Sequence, residues 1–155
     1  MLSSDEKIFN LIVKKKKDGD ELLQHFNISY PSKRIATESN SIYVASVSSE
    51  PNQEVFDGTE YRDLVEILVV TKIKDYKRAI KVIKTVISKL IKIIKESKDF
   101  DVRPIVRNIA PEYNPNFVLN KGHIMVECIT EIEPDISDET IEKVCDIILE
   151  EVEEK

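Results

Sequence analysis

The chain has 155 residues, of which 41% are hydrophobic and 34% charged, and its formal net charge is −6 at pH 7. A chain of this length buries about 70% of its unfolded surface on folding, so we expect one globular domain over residues 1–155. No run of about 18 apolar residues occurs, which excludes a membrane-spanning helix. The opening MLSSDEKIFN is acidic where a secretory signal is basic, and we therefore expect an intracellular protein.

The composition also bears on stability and redox state. Isoleucine, lysine and glutamate are abundant, while glycine, tryptophan and methionine number three, none and two. Such a bias is reported for thermophilic proteins, and an AT-rich genome produces it as well. The two cysteines are Cys128 and Cys145. We expect both to be free, buried thiols, because two cysteines alone make no disulfide framework.

The N-terminal region predicts helical structure followed by a loop. Ser3 and Glu6 have the spacing of a capping box, and apolar residues then recur at helical intervals, which predicts a helix over residues 4–16. Residues 21–26 are expected to form a short second helix. Its inward side chains would be Leu22, Leu23 and Phe26. Residues 27–40 are polar and predict a connecting loop.

The centre of the chain is a hydrophobic strand, residues 64–73, that leads into a long amphipathic helix from Tyr76 to residue 97. Apolar residues on both faces of the strand favour a central position in a sheet. Along the helix, apolar residues step by three and four, which predicts a face in the core. The residues expected there are Tyr76, Ile80, Ile83, Ile87, Leu90 and Ile94, with Ala79, Val86 and Ile93 beside them.

Three more strands are predicted, over residues 41–47, 99–110 and 117–132, the last with an interruption at Lys121-Gly122. Pro104 removes a ladder donor and favours an edge position for its strand. The first two strands of the chain would be joined by a long β-loop over about residues 48–61. Its four acids are Glu50, Glu54, Asp57 and Glu60.

A final acidic helix is predicted over about residues 137–154, with Ser137 as its cap. Together the elements predict an α+β fold. It would comprise a mainly antiparallel four-stranded sheet, the long amphipathic helix packed on one face, and helices at the N- and C-terminus.

Charge is strongly divided along the sequence. Residues 72–98 carry a net charge of +8, whereas residues 127–155 carry −10. The outer side of the long helix is expected to bear Lys77, Lys81, Lys84, Lys92 and Lys95. This pattern fits a solvated face, a phosphate-binding face or a face that pairs with acidic surfaces of neighbouring subunits or partners. The acidic chain and the lack of aromatics among the lysines count against nucleic acid.

The sequence offers no catalytic motif. Three glycines, at positions 19, 58 and 122, form no phosphate loop, and no Ser/His/acid or Cys/His pairing has a recognisable context. His123 and Glu127 would share one strand face, which favours an ordinary polar face over a metal site, since metal sites usually need three or four ligands. We predict no catalytic, metal-binding or cofactor-binding residues and no cofactor.

The order of elements resembles the tail-terminator and tail-completion proteins of long-tailed double-stranded DNA viruses. The resemblance covers residues 8–132 and leaves the acidic helix after Pro134 outside it. It is carried by SIYVASV at residues 41–47, EYRDLVEILVVTKIKD at 60–75, the helix with Ala79 and Ile80, and FVLNKGHIMVECITEIE at 117–133.

The resemblance implies a structural virion protein without catalysis. Such proteins assemble, typically as hexameric rings, at the head-proximal end of the tail, where they stop polymerisation of the tube and provide the surface that joins the head. The implied partners are other copies of the chain, the tail-tube protein and the head–tail connector, with assembly in the host cytoplasm and no membrane or sequence-specific nucleic acid. The composition suggests a virus of a thermophilic archaeon. The residues expected at subunit or partner interfaces are the five lysines above, Glu50, Glu54, Phe56, Asp57, Glu60, Arg107 and Tyr113.

Two other functions remain open from the sequence. One is a small intracellular adaptor or regulatory domain that binds nucleic acid or an acidic protein through its lysine-rich helix. The other is an α/β enzyme without familiar motifs, which would gather His123, Glu127 or Tyr113 in a deep pocket.

Overall fold

A computed structural model describes residues 3–31, 39–51, 60–100, 104–112, 120–131 and 137–153. The elements in chain order are α1 (Ser4–Lys17), a short 3₁₀ helix (Leu23–His25), β1 (Asn27–Ser29), β2 (Ser41–Pro51), β3 (Glu60–Thr71), α2 (Tyr76–Glu96), β4 (Ile105–Glu112), β5 (Asn120–Glu131) and α3 (Asp138–Glu153).

The strands form one sheet in the order β1-β2-β3-β5-β4. β1 pairs with β2 in parallel, and the other neighbours are antiparallel. The predicted α+β class, the central position of β3 and the edge position of the strand after Pro104 are confirmed. The prediction of four strands is wrong, because residues 27–29 form a fifth. A strand of three residues is too short to show alternation in the sequence. In the structure, the backbone N–H of Asn27 donates a hydrogen bond to the carbonyl oxygen of Asn40, which supports the pairing of β1 with β2.

The helices α1 and α2 cover one face of the sheet. Val65, Ile67 and Val69 of β3 point into this layer and are fully buried. The buried residues of α2 are Ala79, Ile83, Val86, Ile87, Leu90, Ile93 and Ile94. Tyr76 was expected inward but is 48% exposed, and Ile80 is only half-buried. The buried stripe is therefore rotated toward Ala79, Val86 and Ile93, which the sequence had placed at its margin.

Capping explains where the helices begin and end. Asp75 accepts a hydrogen bond from the Arg78 backbone N–H at the start of α2, and Ser137 accepts one from Thr140, as predicted for α3. The capping box predicted for α1 does not form, because the Ser3 hydroxyl contacts the carboxylates of Asp5 and Glu6 and makes no cap bond to the backbone. Gly19 follows the end of α1 with φ of 97°, a conformation that favours glycine.

The long strands extend further than the sequence predicts. β2 continues to Pro51 and β3 begins at Glu60, so both ends of the predicted loop lie in strands, and residues 52–59 lie outside the described residues. The register shifts between Ser46 and Ser48, which marks a β-bulge. The interruption predicted at Lys121-Gly122 does not occur, because Gly122 pairs continuously with strands on both sides. Within the described parts of the chain, no helix has the length and apolar character needed to cross a bilayer.

Candidate functional site

The face of the sheet opposite the helices is not covered by any described helix. In β3 and β5 the buried core residues alternate with residues on this open face, which are absent from the core cluster. Of its apolar members, Leu64, Leu68, Met125 and Ile129 are half-buried, whereas Val70 and Tyr43 are buried. We define the open face by Leu64, Glu66, Leu68, His123, Met125 and Ile129.

A cluster of three charged residues lies at one end of the open face. Glu127 is 7% exposed, and its two carboxylate oxygens are divided between two arginines from the neighbouring strands. Nε of Arg62 lies 2.8 Å from Oε1, and Nε of Arg107 lies 2.5 Å from Oε2. The Arg62 contact is an ion pair without an aligned hydrogen bond. We call these three residues the arginine cluster.

The arginine cluster keeps donor capacity for a further anion. Each guanidinium carries five N–H donors, whereas the two groups share a single carboxylate. The side chains of Arg62 and Arg107 are 42% and 56% exposed, so much of their donor surface faces outward. The cluster has a net charge of +1 and opens into a shallow groove of about 300 Å³. Ser48, Glu50 and Leu64 also line this groove, and Glu50 brings its net charge to zero. Arg62 and Arg107 are the groups there that suit a carboxylate from a binding partner.

Helix α3 is amphipathic but exposes its apolar side. Its large apolar side chains are 49–59% exposed, namely Ile141, Val144, Ile147, Ile148 and Leu149. Soluble monomers rarely leave contiguous apolar patches larger than a few hundred Å² in water, so this helix indicates an unfilled contact. The prediction that Cys145 is buried is wrong, because it lies on the same exposed stripe.

The predicted lysine face is present on α2. Lys77, Lys81, Lys84, Lys92 and Lys95 are all exposed. Lys89, which is half-buried, instead forms a 2.7 Å ion pair with Asp20. Burial by itself would raise the pKa of Asp20, but the Lys89 ammonium and the backbone N–H groups of Leu22 and Leu23 outweigh it and leave that pKa below its usual value. This pair attaches α2 to the turn after α1.

A second polar group joins α1 to the sheet near Cys128. Asp63 accepts hydrogen bonds from the hydroxyls of Ser4 and Ser49. Burial and the nearby Asp63 carboxylate raise the pKa of the Cys128 thiol to about 11. Cys128 is thus neutral at ordinary pH, so this thiol has none of the thiolate character that a nucleophile needs.

The predicted interface residues are not gathered in one place. The five lysines lie on the helix layer, while Glu50 and Arg107 line the groove on the opposite side of the sheet. Glu60 begins β3 and is half-buried. Glu54, Phe56, Asp57 and Tyr113 lie outside the described residues. His123 and Glu127 do share one face, but Glu127 is engaged by the two arginines.

Three features were not predicted from the sequence: Arg62 as a site residue, Glu127 as an ion-pair partner, and the exposure of the apolar stripe of α3. Alternation in EYRDLVEIL places Arg62 on the same face as Glu66, but no pattern within one strand shows which acid lies across from it. Among the described residues, no group of three or more metal-ligating side chains occurs. Comparison with models of known protein families and with curated proteins gave no match.

Proposed function

We propose that this protein is a tail-terminator subunit of a long-tailed double-stranded DNA virus, forming a ring, typically hexameric, at the head-proximal end of the tail tube. The observation that carries the assembling role is α3, whose five large apolar side chains remain half-exposed or more. A helix of this kind requires a neighbour to bury its apolar stripe.

The distribution of surfaces supports a head-to-tail ring. The subunit has an uncovered sheet face on one side, a lysine-bearing helix on the other, and an acidic apolar helix at the C-terminal end. These are three chemically different surfaces, and a ring forms when one surface of each subunit meets a different surface of the next. A two-fold dimer would need a single self-complementary patch instead.

The resemblance in element order supports the specific role at the tail. The described order of helix, strand, long antiparallel partner strand, long helix and returning strand pair agrees with the order on which the resemblance rests. The added strand β1 lies between α1 and β2 in the chain and at an edge of the sheet, and α3 follows the returning strand pair. We assign the five exposed lysines of α2 to contacts with acidic surfaces of the tail-tube protein or the head–tail connector.

Two measurements test this proposal. Size exclusion coupled to light scattering should give a ring of defined mass at micromolar concentration, and a strict monomer at high concentration would contradict the assembling role. Tails assembled without the protein should be overlong and lack heads. Tubes of normal length under those conditions would reject termination while leaving assembly intact.

The exposed lysines favour a second candidate, an intracellular adaptor that binds nucleic acid or an acidic protein through α2. A titration against duplex DNA separates the two, because phosphate contacts weaken steeply with rising salt. Tight, salt-sensitive binding to DNA by a monomer would favour the adaptor.

A further inference from the structure

We infer that the subunits of the proposed ring, on which this inference rests, join by docking α3 of one copy onto the open face of the sheet of the next. The apolar stripe of α3 would cover Leu64, Leu68 and Met125, and acids beside that stripe would bind the arginine cluster. The apolar stripe of α3 is exposed, and Leu64, Leu68 and Met125 are only half-buried, so docking would remove apolar surface of both from water.

Charge complementarity selects the open face as the partner of α3. Between Asp138 and Glu151 the helix carries six acids and one lysine, all exposed. In the arginine cluster two partly exposed arginine side chains contact one buried carboxylate, and arginines bind carboxylates well. Glu50, which lines the same groove, adds one negative charge beside them. Apolar residues border it on both sides, since Leu64 and Ile105 are the strand neighbours of Glu127 and Ile105 is half-exposed. An acidic amphipathic helix fits such a surface.

The same observations count against other surfaces of a second copy. Pairing of two α3 helices would set acids against acids along the seam, which opposes association. The lysine face of α2 has the right charge, but its apolar stripe is buried in the core of its own subunit. It therefore offers little apolar area to cover Ile141 and Ile148.

The inference predicts a specific pattern of complementation. The variant Ile141→Ser/Ile148→Ser weakens the helix surface, and Leu64→Asp weakens the sheet surface. In a head-to-tail ring each subunit needs both surfaces, so either variant alone should lose assembly, with the association constant lower by about tenfold or more. Mixing them leaves one intact helix surface and one intact sheet surface. The mixture should give heterodimers and nothing larger.

Labelling of Cys145 provides an independent readout. Cys145 lies on the docking stripe, so a thiol reagent should modify it quickly in dilute protein and slowly in the assembled ring. Lys14→Ser/Lys15→Ser at the exposed end of α1 is the matched control, and it should leave both assembly and Cys145 protection unchanged. Circular dichroism of each variant verifies that loss of assembly is not loss of folding.

The possible outcomes separate failure of the inference from failure of the proposed function. A ring that persists in Ile141→Ser/Ile148→Ser, with Cys145 still reactive, overturns the inference but keeps the ring. Normal assembly of Leu64→Asp with protected Cys145 would indicate α3–α3 pairing and also overturn it. Protection of Cys145 at every dilution, in a protein that stays monomeric, would show that α3 packs on its own sheet, and both proposals would then fail.

Discussion

The Ser4 hydroxyl donates a 2.7 Å hydrogen bond to Oδ2 of Asp63, which joins the first turn of α1 to β3. Ser49 donates to the other carboxylate oxygen, so the side chain of Asp63 holds α1, β2 and β3 together at one end of the sheet. Hydrogen bonds to a charged group contribute more to stability than bonds between neutral groups. The bond from Ser4 is also partly buried.

We expect Ser4→Ala to lower the free energy of unfolding by about 1.5 kcal/mol, because Asp63 then loses a donor. The matched control is Ser3→Ala, since Ser3 occupies the cap position of α1 without a cap hydrogen bond. It should change stability by less than about 0.5 kcal/mol. Urea unfolding measures the free energy of unfolding of both variants, provided that the m-value is unchanged. Equal losses of stability in the two variants would contradict a stabilising role for the hydrogen bond from Ser4 to Asp63.

Glu127 is expected to matter more for stability than either of its arginines. Glu127→Gln leaves two guanidinium groups side by side without a counter-charge and should cost about 1–2 kcal/mol. Arg107→Ala should cost at most about 1 kcal/mol, because Arg107 is half-exposed and Arg62 still pairs with the carboxylate. Thermal unfolding at low and moderate salt compares them. A larger loss for Arg107→Ala would mean that its packing, and not the ion pair, dominates.

Asp20 should make stability depend on acid pH. The pKa of Asp20 is lower in the folded protein than in the unfolded chain, where an aspartate has a pKa of about 3.9. The charged side chain therefore adds to the free energy of unfolding above about pH 3.9, and this stabilisation is lost as pH falls through the folded pKa. The stability difference between the native sequence and Asp20→Asn should therefore shrink as pH falls from 6 to about 3. Because all other acids are common to both proteins, chemical unfolding across this range isolates Asp20. A difference independent of pH would contradict the role of its charge.

The two thiols should differ in reactivity in monomeric protein. Cys145 is exposed and should react quickly with a thiol reagent. Cys128 is buried, and its pKa of about 11 keeps it as the unreactive thiol until the protein unfolds. Mass spectrometry after brief alkylation, with Cys145→Ser as the control, counts the modified sites. Rapid modification of both cysteines in folded protein would contradict the burial of Cys128.

Ionisation of Cys128 also sets a limit to stability at alkaline pH. Burial raises the pKa of the Cys128 thiol to about 11 in the folded protein, whereas a thiol in the unfolded chain has a pKa of about 8.5. The contribution of the neutral thiol to the free energy of unfolding is therefore complete below about pH 8.5 and is lost as pH rises toward 11. This direction is opposite to that of Asp20.

Local rules were sufficient to predict the centre of the fold. The apolar run through residues 64–73 predicts β3, and the three-four spacing predicts α2. The missing backbone donor of Pro104 predicts the edge position of the strand that follows it. β1 could not be predicted, since three residues such as Asn-Ile-Ser become a strand only when β2 lies beside them.

The candidate site depended on relationships that the sequence does not contain. Glu127 meets Arg62 and Arg107 across two different strand pairings, and both registers are needed to bring them together. The final acidic helix, α3, was predicted correctly, but the sequence does not distinguish an apolar stripe that packs on its own core from one left exposed. The wrong prediction for Cys145 has this cause.

The shortness of β1 leaves much of β2 as a sheet edge. β1 pairs only with Ser41–Tyr43, and none of the other described strands adds to that edge beyond Tyr43. The bulge at Val47 interrupts the regular spacing of its backbone donors and acceptors, and Pro51 lacks a donor. A foreign strand could therefore pair over only a few residues, which guards against fibre growth through successive sheets. In the proposed ring, contacts between copies would therefore be made by side chains and not by added strands.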